Sequence, residues 1–468
     1  MALILRDVEV AGRRTDVAVS GDGRIAATGH LRPRPCDTLV EGRGGALLPG
    51  LADRHVHLLG LAKSLESVDC GPPRTRTADE LAAALRARAT ETASGSWIRG
   101  VGYHESVAGL LDRDRMDAMV HRLPVRVQHR SGALWMVNSA AVRSLGLDEP
   151  GLTVPDGVER DAAGRATGRL WRLDSWLRRR TGPSPAPDLA AVGHRYASYG
   201  VTAVHDATPE LEDDTVAELS RALHDGRLPQ RVTLLGAGRA PRPGEEGWTR
   251  GPYKLLPPDH DMWTYDELLR RIRAARGSGG HPVAVHAVTR EALVLTLVAL
   301  GEAGPSPGDR IEHAAVVPRE LLPRLGESGV RVVTQPGFIA ERGDHYATEV
   351  EAEDLPHLYP HASLLAAGIP VSPSSDAPYS SPDPWAAVRA ARDRRAPGGR
   401  VLGSLERVPA SVTLTAFFSR PAVRPGQDAD LCLLHVPWKV ACEEPSAGLV
   451  RMTLCRGRVV YGGLTEAG

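Results

Sequence analysis

The stretch Leu47-Leu48-Pro49-Gly50-Leu51-Ala52-Asp53-Arg54-His55-Val56-His57 decides how the rest of the chain is read. It begins as an apolar run, breaks at Pro-Gly and ends in His-x-His. Side chains alternate faces along an extended segment, so His55 and His57 point one way and Val56 the other. Two imidazoles on one side of a strand end make a ready pair of metal ligands. The same pair also occurs in surface loops, so the metal reading gains weight only if further ligands end later strands.

Working outward, strand-like runs end at 51–57, 201–206, 231–236, 252–256, 282–286, 310–313, 330–335 and 370–376. Helical patterns separate several of them, as at 264–275 and 291–302. Alternating strands and helices indicate a parallel α/β arrangement. Eight such strands are the number a (β/α)8 TIM barrel needs. The run 125–129 also reads as a strand, and it is placed in an insertion at about 58–190, after barrel strand 1. That insertion holds an amphipathic stretch, 78–92, and a Pro-rich exit at 183–187, and is expected to cap the site in part.

Both ends of the chain have a different style. Runs at 3–10, 16–20 and 24–28 are separated by Gly-containing turns, and 430–435, 450–455 and 457–461 repeat the pattern. Short strands at this spacing indicate antiparallel sheet. The expected organisation is a small β-sandwich built from both termini, 1–46 and 406–468, around a barrel at 47–405.

The chain has 468 residues and no net charge, with 24% charged residues, which gives no footprint for nucleic acid or an anionic membrane. The five cysteines are scattered, with no Cys-x-x-Cys pair, as suits reduced thiols. The N-terminus lacks a basic start followed by an apolar core, and no apolar run approaches bilayer length. A cytoplasmic, soluble protein that binds a small molecule is expected, with a homodimer as the assembly allowed for.

Later strands do supply further ligands. Lys254 lies in Tyr253-Lys254-Leu255, His286 ends Val283-Ala284-Val285-His286, His313 ends Arg310-Ile311-Glu312-His313, and Asp376 closes Ser374-Ser375-Asp376. All fall at the C-terminal ends of strands, where barrel active sites lie. Neutral imidazoles and a carboxylate suit a divalent ion, zinc first, with manganese or iron as alternatives. A second ion needs a bridging anion; a lysine carboxylated by CO₂ supplies one, whereas an unmodified Lys254 is a surface cation or an anchor for a substrate carboxylate. Asp376 is the candidate to take a proton from a metal-activated water and deliver it to a leaving nitrogen. In second place stand His205, ending strand two, Tyr253 and Trp171 as pocket walls, and Gln335 at strand seven. His345, His357 and His361 fall in the strand-seven connection, a possible lid, with solvent exposure as the simpler expectation.

These residues sit in a longer pattern. The segments 48–57, 97–102, 137–141, 200–206, 310–314, 334–336, 375–378, 383–385 and 424–431 together resemble the metal-dependent amidohydrolase superfamily, in particular amidohydrolase family 3 and its N-substituted formamide deformylase-like branch. The resemblance implies that His55 and His57 bind the more buried metal with Asp376, that a carboxylated Lys254 bridges, and that His286 and His313 bind a second metal. It implies hydrolysis of an amide, N-formyl, N-acyl or cyclic amide bond. A deaminase, or an ester or lactone hydrolase, on the same site is the alternative, and a non-catalytic binding or assembly protein is a second. The chain departs from the family at Ala133, which stands in place of a histidine, at Ala287-Val288-Thr289-Arg290 and at Pro257-Pro258-Asp259.

Overall fold

Hydrogen bonding of the extended runs sorts them into separate sheets in the computed structural model, which describes residues 1–72, 74–149, 154–181, 187–258 and 262–463. The chain divides into two compact units, Met1–Leu58 with Leu189–Gly468, and Leu59–Asp188.

In the first unit, parallel strands form where β-branched and apolar runs meet. They are β1 (Leu51–Val56), β2 (Val201–Asp206), β3 (Arg231–Leu234), β4 (Tyr253–Leu255), β5 (Val283–Ala287), β6 (Arg310–His313), β7 (Arg331–Thr334) and β8 (Val371–Pro373). One sheet runs β3-β2-β1, extended beside β3 by the short strand Trp248–Arg250, and the other runs β4-β5-β6-β7-β8. All these pairs are parallel. Backbone bonds also cross between the two sheets. Lys254 N donates to Leu235 O at 2.9 Å, Asp376 N to His55 O at 2.8 Å, and His57 N to Ala377 O at 2.8 Å. The connecting helices begin at capping threonines: Thr264 accepts from Glu267 N before helix Tyr265–Arg276, and Thr289 from Ala292 N before Arg290–Ala303. Leu268, Ile272, Leu293 and Leu297 from these helices pack on Val283, Val285 and Ile311 of the strands.

The opening stretch divides at Gly50. Leu47–Pro49 pairs antiparallel with Leu431–Leu434, while Leu51–Val56 pairs with β2. A Cβ at Gly50 would meet Thr202 Oγ1 at 2.1 Å, so this close crossing requires glycine. Two four-stranded sheets from the chain ends, one within Leu3–Glu41 and one combining Leu47–Pro49 with Leu431–Leu434, Val450–Cys455 and Arg458–Tyr461, share an apolar core. Leu5, Val17, Ile25, Leu431 and Leu454 belong to it.

The second unit contains the strand Val125–His129 within a six-stranded sheet of its own. Helix Ala78–Glu91 flanks that sheet and starts with a capping box formed by Thr77 and Glu80. Of the Pro-rich run at 183–187, residues 183–186 lie outside the described residues. Among the described residues, no helix is long and apolar enough to cross a membrane.

Candidate metal centre

At the C-terminal ends of the parallel strands, His55 of β1, His313 of β6 and Asp376 after β8 converge. One nitrogen or oxygen from each lies within 4.8 Å of the others, and all three residues are buried. His55 Nε2 and His57 Nε2 stand 3.4 Å and 3.3 Å from the same atom, Asp376 Oδ1. His286 joins the group, its ring centroid 4.5 Å from that of His313. The backbone is bent to achieve this. His313 and Asp376 have φ of 71° and 58°, in the left-handed region that non-glycine residues avoid. Such positions cost roughly 1–3 kcal/mol each and persist where the surroundings over-determine them.

Each ligand candidate is held from behind. His55 Nδ1 bonds Glu312 Oε2, and the other oxygen of Glu312 accepts from Arg310 Nε; Glu312 has no exposed surface. Arg310 is fastened by donating to Arg54 O at 2.8 Å and to His205 Nδ1 at 3.3 Å. His57 Nδ1 meets Thr208 Oγ1 at 3.1 Å, and His313 Nδ1 meets Gln335 Oε1 at 2.8 Å. Gln335 in turn donates to Ser374 Oγ at 3.0 Å. Beneath them Asp53 accepts from Tyr196 Oη at 3.0 Å and from Ser375 N at 3.1 Å, which ties β1 to the segment carrying Asp376. Partners on the second imidazole nitrogen fix ring orientation and tautomer, the arrangement that metal-ligating histidines show.

The electrostatics leave donors ready for a cation. Burial pushes His55 well below the usual imidazole range, and burial with the neighbouring His286 pushes His313 down to about 3, so both are neutral near pH 7. Burial opposes ionisation of Asp376, but the surrounding imidazoles, His55 first, hold its carboxyl below the usual range. Among the described residues, Asp376 Oδ1 is nonetheless a buried acceptor without a hydrogen bond. Lys254, 3% exposed, is lowered to about 8 by burial, and among the described residues its ammonium has no hydrogen bond or ion pair. Orphaned buried polar atoms of this kind are costly in a folded protein. The donor set of imidazoles and carboxylate therefore fits a divalent metal ion.

Within the first unit, not every expected residue joins the cluster. Gln335 lies behind His313 rather than open to a ligand. Tyr253 packs on the apolar layer outside the sheet, opposite in strand phase to Lys254. His205 lines a cavity with Arg231 and Thr233 of the neighbouring strand β3. Trp171 belongs to the second unit, where it is 44% exposed and donates to Glu159 Oε2 at 3.1 Å. Of the histidines in the β7–β8 connection, His361 is buried rather than exposed. Sequence reading passed over Glu312, Arg310 and Thr208. The signal was present for the first two: a charged pair at alternate positions of a strand entering the core. Tyr379, whose ring stands edge-on to His57 at 5.6 Å, also escaped notice.

Comparison with known proteins agrees with this geometry. The model of the amidohydrolase family matches residues 39–461. The chain is 24% identical to a putative amidohydrolase, YtcJ, of Bacillus subtilis, over 96% of each chain. It is 26% identical to an N-substituted formamide deformylase of Arthrobacter pascens, over 88% of this chain and 86% of the relative. A crystal structure of an uncharacterized metal-dependent hydrolase from Pyrococcus horikoshii superposes with a TM-score of 0.71 at 20% identity, covering 98% of this chain and all of the other. With its parallel strands, its clustered imidazoles and a match across most of its length, the chain belongs to the amidohydrolase family.

Proposed function

We propose that this chain is a metal-dependent hydrolase that cleaves a non-peptide C–N bond of a small molecule: an amide, N-formyl, N-acyl or cyclic amide. The observation that carries the reading is the buried convergence of His55, His313 and Asp376, with Asp376 Oδ1 left without a hydrogen bond among the described residues. The cross-sheet bonds at Lys254, Asp376 and His57 support a closed (β/α)8 barrel. The domain division proposed is a sandwich from 1–46 and 406–468, with the short strand Leu47–Pro49 joining it, a barrel from there to 405, and an insertion at about 58–190.

His55, His57 and Asp376 would hold one ion, zinc by preference for this donor set, and His286 with His313 a second. A lysine amine free of a salt bridge adds CO₂ with loss of one proton, and the resulting carbamate at Lys254 would bridge the two. Bound there, a divalent ion supplies Lewis acidity and lowers the pKa of water toward ~7. Asp376 is ionised at neutral pH; it accepts the proton of the attacking water at Oδ2 and returns it to the leaving nitrogen, which then departs as an amine. Thr208 and Gln335 keep His57 and His313 oriented while this happens. Membership of the deformylase-like branch is supported by the long match to the Arthrobacter relative and makes N-formyl compounds the first substrates to try.

The test is turnover of N-formyl amines, N-acyl amines, lactams and hydantoins by metal-loaded protein, beside matched esters and lactones. Hydrolysis of a C–N bond that falls roughly 100- to 10,000-fold in Asp376→Asn is expected. Turnover of esters alone, or activity unchanged in Asp376→Asn, would overturn the assignment.

A further inference from the structure

The opposite, N-terminal ends of the parallel strands are lined unlike an ordinary barrel floor, which branched apolar side chains usually fill. Arg231, Arg310 and Arg331 open β3, β6 and β7, and Arg54 lies on β1. Arg54 is lowered to about 10 by burial and by the charges of Arg331 and Arg310, so the floor carries a positive field. Glu312 is the carboxylate paired with Arg310 there.

Next to this floor lies a cavity of ≈ 520 Å³, bounded by β2, β3 and residues of the C-terminal segment. Three guanidinium groups reach it. Arg231 holds Asp430 at 2.6 Å and Asp428 at 2.8 Å, and Arg420 holds Asp428 at 2.7 Å. The third, Arg456, is exposed, and among the described residues its side chain has no hydrogen bond or ion pair. The carboxylate in the cavity wall is Asp430, already engaged by Arg231 and by Arg456 N. Neutral donors stand beside the cations. Thr233 Oγ1 and Thr249 Oγ1 are 3.0 Å apart on one wall, and Ser419 Oγ is buried without a hydrogen-bond partner among the described residues.

We infer that this cavity is a binding site for a small oxyanion of the phosphate class, held by Arg456 and Arg420 with hydroxyl donation from Ser419. Excess guanidinium charge in a concave wall concentrates anions, and Arg–phosphate bonds are among the strongest charge-assisted pairs. An oxyanion reaching the Ser419 hydroxyl would satisfy a donor that has no hydrogen-bond partner among the described residues. The site involves none of the residues of the metal cluster.

Isothermal titration of the metal-loaded full chain with inorganic phosphate tests the inference, with metal content measured alongside. One saturable site per chain is expected. Arg456→Gln, which removes no side-chain hydrogen bond or ion pair among the described residues, should weaken it at least about tenfold, equivalent to about 1.4 kcal/mol, with unchanged metal content. Ser419→Ala should weaken it less. Phosphate is also a potential metal ligand, so the titration is repeated on metal-stripped protein, where binding should persist. Heat that vanishes with the metal and survives Arg456→Gln would place phosphate at the metal centre and overturn the proposal. So would the absence of saturable binding up to about 10 mM phosphate.

Discussion

Glu312→Gln is the substitution that separates the metal account from a merely structural one. Glu312 is wholly buried and divides its two oxygens between His55 Nδ1 and Arg310 Nε. An amide keeps the shape but removes the charge, and its nitrogen cannot accept from either donor. Arg310, 4% exposed, would then keep only neutral acceptors, Arg54 O and His205 Nδ1. Breaking a buried pair by neutralising one member costs about 3–5 kcal/mol. A domain stability of about 5–15 kcal/mol leaves room for that, so the variant should fold with a lowered denaturation midpoint. His55 would also lose the partner that sets its tautomer, and loss of such a partner costs about 10- to 100-fold in metal affinity, equivalent to roughly 1.4–2.7 kcal/mol. Denaturant melts of metal-free protein give the first quantity; competition for zinc against a chromogenic chelator gives the second. A Glu312→Gln protein that binds zinc as tightly as the parent, though destabilised, would show that Glu312 serves Arg310 alone and would refute the orienting role.

Other outcomes follow from the same structure. Lys254→Ala should lower the metal bound per chain and abolish most turnover; unchanged metal content would remove Lys254 from the bridging position. His361 is buried, neither ring nitrogen is hydrogen-bonded among the described residues, and it is lowered to about 4 by burial and by Arg394. Its folded value lies below the ordinary 6.5, so the unfolded chain binds the extra proton, and stability present above pH 6.5 is lost as pH falls toward 4. At pH 5 this amounts to about 2 kcal/mol, so His361→Leu should flatten the decline of the denaturation midpoint between pH 7 and 5. An unchanged slope would mean that His361 finds a partner or water in solution.

Much of the strand framework was legible because its signals are local. Parallel strands buried on both faces read as continuous apolar runs, and β1 to β8 fall within the stretches read from the sequence except at β5, which runs one residue further, to Ala287. The clustered histidines His55, His57, His286 and His313 were readable for the same reason, since imidazoles ending such runs break the pattern. What pairs with what was less visible. Leu47–Pro49 reads as part of the barrel segment 47–405, yet it pairs with Leu431–Leu434 near the other end of the chain, and Gly50 marks the change. Glu312 was overshadowed by the adjacent His313, although strand alternation puts Glu312 in phase with Arg310. His205 closes β2 much as His55 and His57 close β1, but its ring meets Arg310, a partner the sequence gives no means to choose. His361 looked like a polar loop residue; its burial, and the charge of Arg394 that acts on it from another part of the chain, are not written in the local sequence.

The measurement that tests the central claim most directly is the metal content of protein purified without added metal, by elemental mass spectrometry, for the parent and for His55→Ala with Asp376→Ala. The account predicts at least one equivalent of a divalent transition metal per parent chain, two if Lys254 is carboxylated, and loss of most of it in the double variant. A parent chain that holds none, and takes up none when zinc or manganese is added back, would contradict it.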